Sequence, residues 1–514
     1  MATATTDRPA TTERPAAPQH YRTYSPKPFT RAERDSVTIL FGGLHWRVER
    51  VLQAVLESGG NKAEVLPVAT KEDLLTGRET ADIGQCCPTS FTTGNLVNFL
   101  KKKSGEIGAE EVSKKFVYLT AGSCGACRFG QYHQSYELGL RNSGLEAFRM
   151  FLLAQDQLDQ KAAMGDGFDM NLPVTLGCLW AIFTTDLVQD LEYQVRPYEV
   201  VPGATEAVVK ESVELLYQAF RNRPQRGPYR SVAWYLTTRY YVKVMREIRK
   251  KFATIELDRL RAKPTVKITG EFYLQTVEGD PNYNIHRWLE SEGAEVYPAG
   301  ITVWMDYLLR LGLQRFEDYS GVERGARLKL GLGRTVQAIY RGVFGRLRRA
   351  MGNVAHELPL QKELRGLAAP YFNHRLDGGE GDMLIGKAIW AHTKKKAHMI
   401  CELSPYSCMP NTMSIGAMSG VLGKFPDLLY APLEIKGDAE VHALSRCQMI
   451  LTEAKKRAQR EFDEALAKSG MTLDAVRAYL DAHPKMKRAD YKVPHMGCAG
   501  TAANMVLHVA GKAR

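Results

Sequence analysis

The sequence predicts an α/β protein made of two similar parallel-sheet domains joined by a basic helical linker region. Three observations lead there. Short apolar runs end in glycine and give way to helical periodicity and then a second apolar run, which is the order of a βαβ unit with parallel strands. This grammar starts at Ser36 and restarts at Val266. The phrase VLESGGNKAEVLPVAT in the first half also reads like WLESEGAEVYPAGIT in the second.

Taken in order, Ser36 to Phe41 is the first strand, and Gly42-Gly43 turns it into a helix over Arg47 to Glu57, apolar at Val48, Val51, Leu52 and Val55. Gly59-Gly60 stops that helix, and Ala63 to Pro67 is the second strand. Further strands are expected at Phe116 to Thr120 and within Leu145 to Leu153. Thr205 to Lys263 reads as basic helix interrupted by a loop at Arg223 to Pro228. The restart runs through a strand at Val266 to Gly270, a helix at Asn282 to Glu292 and a strand at Gly293 to Pro298. Ala397 to Cys401 and Asp427 to Pro432 follow as strands, and Asp438 to Lys468, rich in Ala, Glu, Lys and Arg, as a long helix. The expected organisation is a disordered tail over 1–35, a first cysteine-bearing α/β domain over 36–204, a helical linker over 205–263 and a second α/β domain over 264–514.

Composition narrows the function classes. The 514 residues carry 69 Lys and Arg against 57 Asp and Glu, a formal charge of +12. That balance suits acidic partners such as nucleotides, coenzyme A or an acidic redox protein. The stretch Arg324 to Arg349 holds eight of these cations and no acid, so it is either a solvated helical face or a docking face. No continuous apolar run has the ~18 residues of a membrane span. The Ala-, Thr- and Pro-rich start lacks the apolar centre of a secretory signal, so a cytoplasmic location is expected. In that reducing compartment, clustered cysteines point to metal ligation or catalysis rather than disulfides.

The nine cysteines are unevenly placed. Three phrases read as loops at the carboxyl ends of strands, where open α/β sheets bind ligands. They are Gln85-Cys86-Cys87-Pro88, Ser123-Cys124-Gly125-Ala126-Cys127-Arg128 and Ser407-Cys408-Met409-Pro410-Asn411. Glycine and proline around each cysteine suit backbone that turns tightly and aims N–H groups at sulfur, and Arg128 would help hold negative charge. Cys87, Cys124, Cys127 and Cys408 are the expected metal and cofactor ligands, as thiolates for an iron–sulfur cluster, with Cys498 next in line. Cys86 and Cys401 stay open, while Cys178 and Cys447 read as core. Zinc and thioredoxin-like chemistry also use C-x2-C and remain rivals. No Walker A pattern, strand-bound G-x-G-x-x-G or nucleophile elbow is present, so ATP hydrolysis by this chain is unsupported. Gly378-Gly379-Glu380-Gly381 before an apolar helix is either an anion-binding helix start or an ordinary cap.

These phrases, together with Gly94-Asn95, Ile268-Thr269-Gly270-Glu271, Asn284 to Ala294, Gly379-Glu380-Gly381, Ser404 to Asn411 and Gly437-Asp438-Ala439-Glu440, resemble the 2-hydroxyacyl-CoA dehydratase subunit / benzoyl-CoA reductase superfamily. The nearest likeness is to the cluster-binding part of the large CoA-substrate-specific enzyme activases, over roughly residues 36 to 450. The resemblance implies two flavodoxin-like (Rossmann-like) domains holding a [4Fe-4S] cluster, single or double cubane, in the cleft between them. It places Cys87, Cys124 or Cys127, and Cys408 where ligands are expected. It also implies a separate ATP-hydrolysing activator as electron donor, and a CoA thioester or other small substrate. The expected activity is that of an oxidoreductase or lyase of this type, with Glu271, His286, Ser404 and Asn411 as cleft-lining candidates. A non-catalytic electron carrier is the alternative. A zinc protein binding nucleic acid is weaker, because no nucleic-acid module is recognisable. Substrate and oligomeric state stay open.

Overall fold

The computed structural model describes residues 27–82, 84–122, 127–154, 165–376 and 379–513. Cys124, Gly378 and residues 1–26 of the expected tail lie outside the described residues.

The first half runs β1 (Thr38–Phe41), α1 (Trp46–Ser58), β2 (Lys62–Val65), α2 (Lys71–Thr80), α3 (Cys87–Ile107), α4 (Ala109–Lys115), β3 (Phe116–Gly122), α5 (Tyr132–Asn142) and β4 (Arg149–Ala154). Its strands form a parallel sheet in the order β2-β1-β3-β4, with Thr38 in register with Lys62 on one side and Phe116 on the other. The helical segment follows as α6 (Leu172–Val195), α7 (Ala204–Arg221), α8 (Pro228–Thr237) and α9 (Tyr240–Phe252). The second half contains β5 (Thr265–Gly270), α10 (Phe272–Thr276), α11 (Ile285–Ser291), β6 (Glu295–Tyr297), α12 (Ile301–Asp318), α13 (Ala326–Ala350), α14 (Gln361–Ala368) and α15 (Gly381–Thr393). It continues with β7 (Met399–Pro405), α16 (Met409–Lys424) and β8 (Leu429–Ile435), then α17 (Glu440–Ser469), α18 (Leu473–Ala482) and α19 (Thr501–Ala513). Its parallel sheet has the order β6-β5-β7-β8, the same order as the first. The chain is thus α/β with two four-stranded, all-parallel sheets. Every residue of β5 and β7 is buried, as parallel strands covered by helices on both faces require.

Helices α2 and α3 pack closer than side chains normally allow. A Cβ on Gly94 would stand 1.7 Å from the Asp73 carbonyl oxygen, so only glycine fits there. Asn95 and Asn98 secure the contact by donating to the Asp73 carboxylate at 3.1 and 2.8 Å. The Gly94-Asn95 phrase is therefore a helix-packing device.

Two expected boundaries are corrected. Folded structure begins before Ser36: Phe29 is buried, its carbonyl accepts from Gly167 N at 2.8 Å, and Glu33 pairs with Arg149 at 2.9 Å. The helices of 205–263 are also more than a linker. Val213, Leu216 and Phe220 of α7 and Met245 and Ile248 of α9 share one apolar core with Val51 and Val55 of α1, Phe183 and Leu187 of α6, and Leu347 of α13. Their cations lie on the outer faces, because the apolar residues recur at helical spacing and take the inner one.

Among the described residues one helical stretch, Leu172–Tyr198, is long and apolar enough to cross a membrane. Phe183, Leu187, Val188 and Leu191 on it are at most 1% exposed, so this apolar surface forms the helical core. The basic stretch 324–349 divides in two. Arg341 pairs with Asp306, and Arg346 and Arg348 donate to backbone carbonyls, whereas Arg324, Arg327, Lys329 and Arg334 are exposed beside exposed Leu328, Leu332, Val336 and Ile339.

The two halves are locked by charge. Arg47 of α1 is buried against Glu192 of α6 and against Glu278, which follows α10, the latter at 2.6 Å. Arg196 grips Glu290 of α11 through two hydrogen bonds of 2.8 and 3.0 Å. Across the cleft, Arg78 of α2 reaches Asp438 and the Lys436 carbonyl, and Lys71 reaches Glu440. These ties bring the carboxyl ends of both sheets face to face.

Candidate functional site: helix starts capped by thiols and carboxyls

Five helix starts meet in the cleft, each capped by a thiol or a carboxyl. Cys86 is the N-cap of α3, Glu271 of α10, Glu380 of α15 and Cys408 of α16, while Cys127 caps the short 3-10 helix Arg128–Gln131 that leads into α5. The Cys408 thiol donates to Asn411 Oδ1 at 3.4 Å, and the side chain of Glu271 takes first-turn backbone N–H groups. Glu271 accepts from Tyr273 and Leu274 at 2.9 and 3.0 Å. Pro88 and Pro410 occupy the first turns of α3 and α16, where a missing N–H costs nothing.

The caps act on one another electrostatically. The charge of Glu271 reaches the thiols of Cys86, Cys87, Cys127 and Cys408 and disfavours their ionisation. Glu380 reaches Cys127 and Cys408, and Cys86 reaches Cys87, Cys127 and Cys408. Glu380 also acts on Glu271, raising its carboxyl. Cys86, from the first half, is thus the thiol common to all the others.

Burial is the largest influence on every one of these groups. It pushes Cys87 and Cys127 up to about 12 and raises Cys86 and Cys408, so the free thiols are neutral at physiological pH. It lifts Glu271 to about 7 against its two N–H bonds, with Glu380 adding repulsion, and raises Glu380 as well. Glu49 of α1, whose carboxyl accepts from Leu44 N at 2.9 Å, is also lifted to about 7 by burial and faces Tyr273. Thiols of this kind ionise when a soft metal centre takes the proton's place.

Local backbone shapes the site. Gly270, at φ 123, passes so close to β7 that a Cβ would stand 2.1 Å from the Leu403 carbonyl, and this delivers Glu271 into the cleft. Ser407 holds a left-handed φ of 65 immediately before Cys408, a costly conformation for a non-glycine residue at the point where the thiol is aimed. Behind Cys408, Asn411 donates to the buried Glu402 at 3.2 Å, and Glu402 also takes the Tyr430 hydroxyl at 2.8 Å.

The expected residues divide clearly. Cys87, Cys127 and Cys408 lie in the cleft region with Glu271, and Asn411 supports Cys408 from behind. Cys87, however, is the first residue of α3 proper and packs with Leu74, Phe91 and Leu274, whereas Cys86 holds the capping position that matches Cys408. Cys86 Sγ lies 3.2 Å from Thr89 Oγ1 and 3.0 Å from the Tyr132 hydroxyl. The phrase before α3 follows a helix, not a strand as expected, because α2 intervenes. Cys498 is not brought to the others. It packs with the α17–α19 core, and the charges that reach it are Glu461, Lys395, Lys468 and Glu464. Cys401 is buried in β7, a free thiol in the same apolar core as Cys447 of α17. His286 packs against the Tyr193 ring, tilted by 32°, in reach of the Arg47 and Glu278 charges, and burial drops it to about 4. Ser404 is buried in β7. Arg128 donates to the Gly84 carbonyl at 2.6 Å and so ties two thiol loops together. Glu380 fills the helix start that was open to an anion.

The sequence left Cys86 open and did not single out Glu380. The signal was the shared frame Cys-x-Pro, which aligns Cys86 with Cys408 and leaves Cys87 opposite Met409. Among the described residues, no three His, Cys, Asp or Glu side chains stand close enough to share a single metal ion. The donor chemistry nevertheless fits a soft anionic centre, with three thiols at helix starts, two of them buried and one half-buried. No protein-family model matches the chain, and no curated protein matches it in sequence.

Proposed function

We propose that the chain is an iron–sulfur redox protein whose cleft holds a low-potential [4Fe-4S] centre through Cys86, Cys127 and Cys408. One observation carries this reading: three thiols, each at a helix start and drawn from both halves, lie within the electrostatic reach of the one Glu271 carboxyl. Ligands of a cubane stand on separate corners, which accommodates thiols spaced too widely for one ion. The resemblance to the 2-hydroxyacyl-CoA dehydratase and benzoyl-CoA reductase superfamily, and with it the flavodoxin-like identity of each half, belongs to the same reading. Cys124, the first residue of the C-x2-C phrase, is a further ligand candidate on sequence grounds.

When bound, the centre supplies one-electron chemistry at low potential to a CoA thioester or other small substrate. The chain's own residues do the rest. Helix N-termini and N–H groups favour the negative charge of the thiolates. Glu271, poised near neutrality, holds or releases a proton beside them. Electrons come from a separate ATP-hydrolysing activator, and the exposed Leu328–Ile339 stripe with its flanking arginines is the face assigned to docking it.

Anaerobic purification tests the reading. Brown protein with about four irons and matching sulfide per chain is expected for a single cubane. Colourless protein with stoichiometric zinc would refute it. Turnover of a thioester with a low-potential reductant then separates an enzyme from a carrier.

A further inference from the structure

Two hydroxyls converge on the sulfur of Cys86. Its Sγ lies 3.0 Å from the Tyr132 hydroxyl and 3.2 Å from Thr89 Oγ1, and all three residues are buried. The fold holds both hydroxyls in place. Thr89 lies in the first turn of α3, where its N–H donates to the Cys86 carbonyl at 3.0 Å. Tyr132 opens α5, and its ring stands edge-on to Phe129 and to Tyr136, with ring centres 5.1 and 6.4 Å away. Tyr136 is tied to α3 in turn, its hydroxyl donating to Thr92 Oγ1 at 3.0 Å. These edge contacts fix the direction of the Tyr132 phenol.

Cys408 is furnished differently. Its thiol donates to an amide oxygen, Asn411 Oδ1, and the amide nitrogen is engaged by Glu402 at 3.2 Å. An acceptor beside sulfur suits only the thiol. A hydroxyl suits either form, because it accepts from S–H and donates to S⁻. Cys86 is therefore the thiol whose buried surroundings are ready for a proton-free sulfur.

We infer that Tyr132 and Thr89 hold negative charge on the Cys86 sulfur, and that Tyr132 thereby sets the reduction potential of a centre bound there. The inference rests on the reading that Cys86 is a ligand of that centre. A metal-bound sulfur carries no proton, so both hydroxyls then donate to it. Such bonds to a charged acceptor are stronger than neutral ones, and a buried setting strengthens them further. An added electron increases the charge on the ligand sulfurs, so donors to sulfur favour the reduced state and raise the potential. Both residues act through the ligand sulfur and are positioning residues.

Full-length wild type, Y132F, T89V and T89S, each reconstituted anaerobically with ferrous iron and sulfide, are compared by iron content and by redox titration followed with electron paramagnetic resonance. Y132F is expected to retain wild-type iron and to titrate at a more negative potential. The expected shift is about tenfold in the reduced-to-oxidised ratio at a fixed solution potential, which is about 59 mV for one electron. T89V should move in the same direction, and T89S, which keeps the hydroxyl, should stay with wild type. Y132F carrying wild-type iron at an unchanged or less negative potential overturns the inference and leaves the cluster reading standing. Loss of iron from Y132F also overturns it, because the phenol would then be a brace for the ligand loop. T89S shifted as far as T89V would assign the Thr89 effect to packing and remove that hydroxyl from the account. Wild type that takes up no iron refutes the cluster reading itself, and the inference with it.

Discussion

The two sheet-bearing halves share a strand order but furnish the cleft differently. After the first central strand the chain reads Gly42-Gly43; after its counterpart β5 it reads Gly270-Glu271. The long helix of the crossover into the third strand is capped by Cys86 in one half and by Glu380 in the other. Only after the third strand do the halves agree, with Cys127 following β3 and Cys408 following β7. One shared scaffold position is thus filled with sulfur in one half and with carboxyl oxygen in the other. Two thiols from the first half and one from the second meet acids that come from the second alone, so neither half carries a complete site. The fold sets where a cap points, and the capping residue sets what the position does.

The largest expected effect breaks that complementarity. C408A removes the second half's only capping thiol, and iron retained after anaerobic purification should fall at least about tenfold, as when a metal loses a ligand. Iron content equal to wild type would leave Cys408 without a role in the centre. R47M strikes the joint between the halves. It takes one of the two arginines that pair with the buried Glu192, Arg196 being the other, and also the partner of Glu278, so chemical denaturation should show a loss near the low end of the ~3–5 kcal/mol of a broken buried pair.

A smaller effect probes the asymmetry in acids. Glu271 moves from an ordinary value of 4.5 to about 7 on folding. The folded chain therefore keeps a proton that the unfolded chain has released, and the associated stability is full below about pH 4.5 and lost as pH rises through about 7. E271Q removes that loss. It should match wild type near pH 5 and exceed it by about 1–2 kcal/mol near pH 8, discounted for the partial exposure of the carboxyl. An equal difference at both pH values would contradict the raised carboxyl.

Much of this arrangement was legible in the sequence, and the exceptions have physical causes. β1, β3, β5 and the helix over 440–469 were readable because apolar periodicity and glycine stops are local signals. Phe29 was missed because its burial against Gly167 depends on a contact far along the chain. The helices of 205–263 looked like a linker because their charges are a property of sequence and their shared core is a property of packing. Within the site, Cys127 and Cys408 were visible from their loops. The choice between Cys86 and Cys87 turns on which residue leaves the helical backbone first, and that one-residue frame is set by α2 packing on α3. Glu380 carried no motif, since its place beside the thiols is set by where α15 starts in the fold.

The adjacent cysteines offer the most direct test of the claim that capping position selects the ligands. C86A and C87A, purified anaerobically side by side, differ by a single residue in the same turn. Iron per chain is expected to collapse in C86A, as in C408A, and to remain at the wild-type level in C87A. Iron retained in C86A but lost in C87A would contradict the account, because the ligand would then be the first residue of α3 and the match to Cys408 would have no chemical meaning.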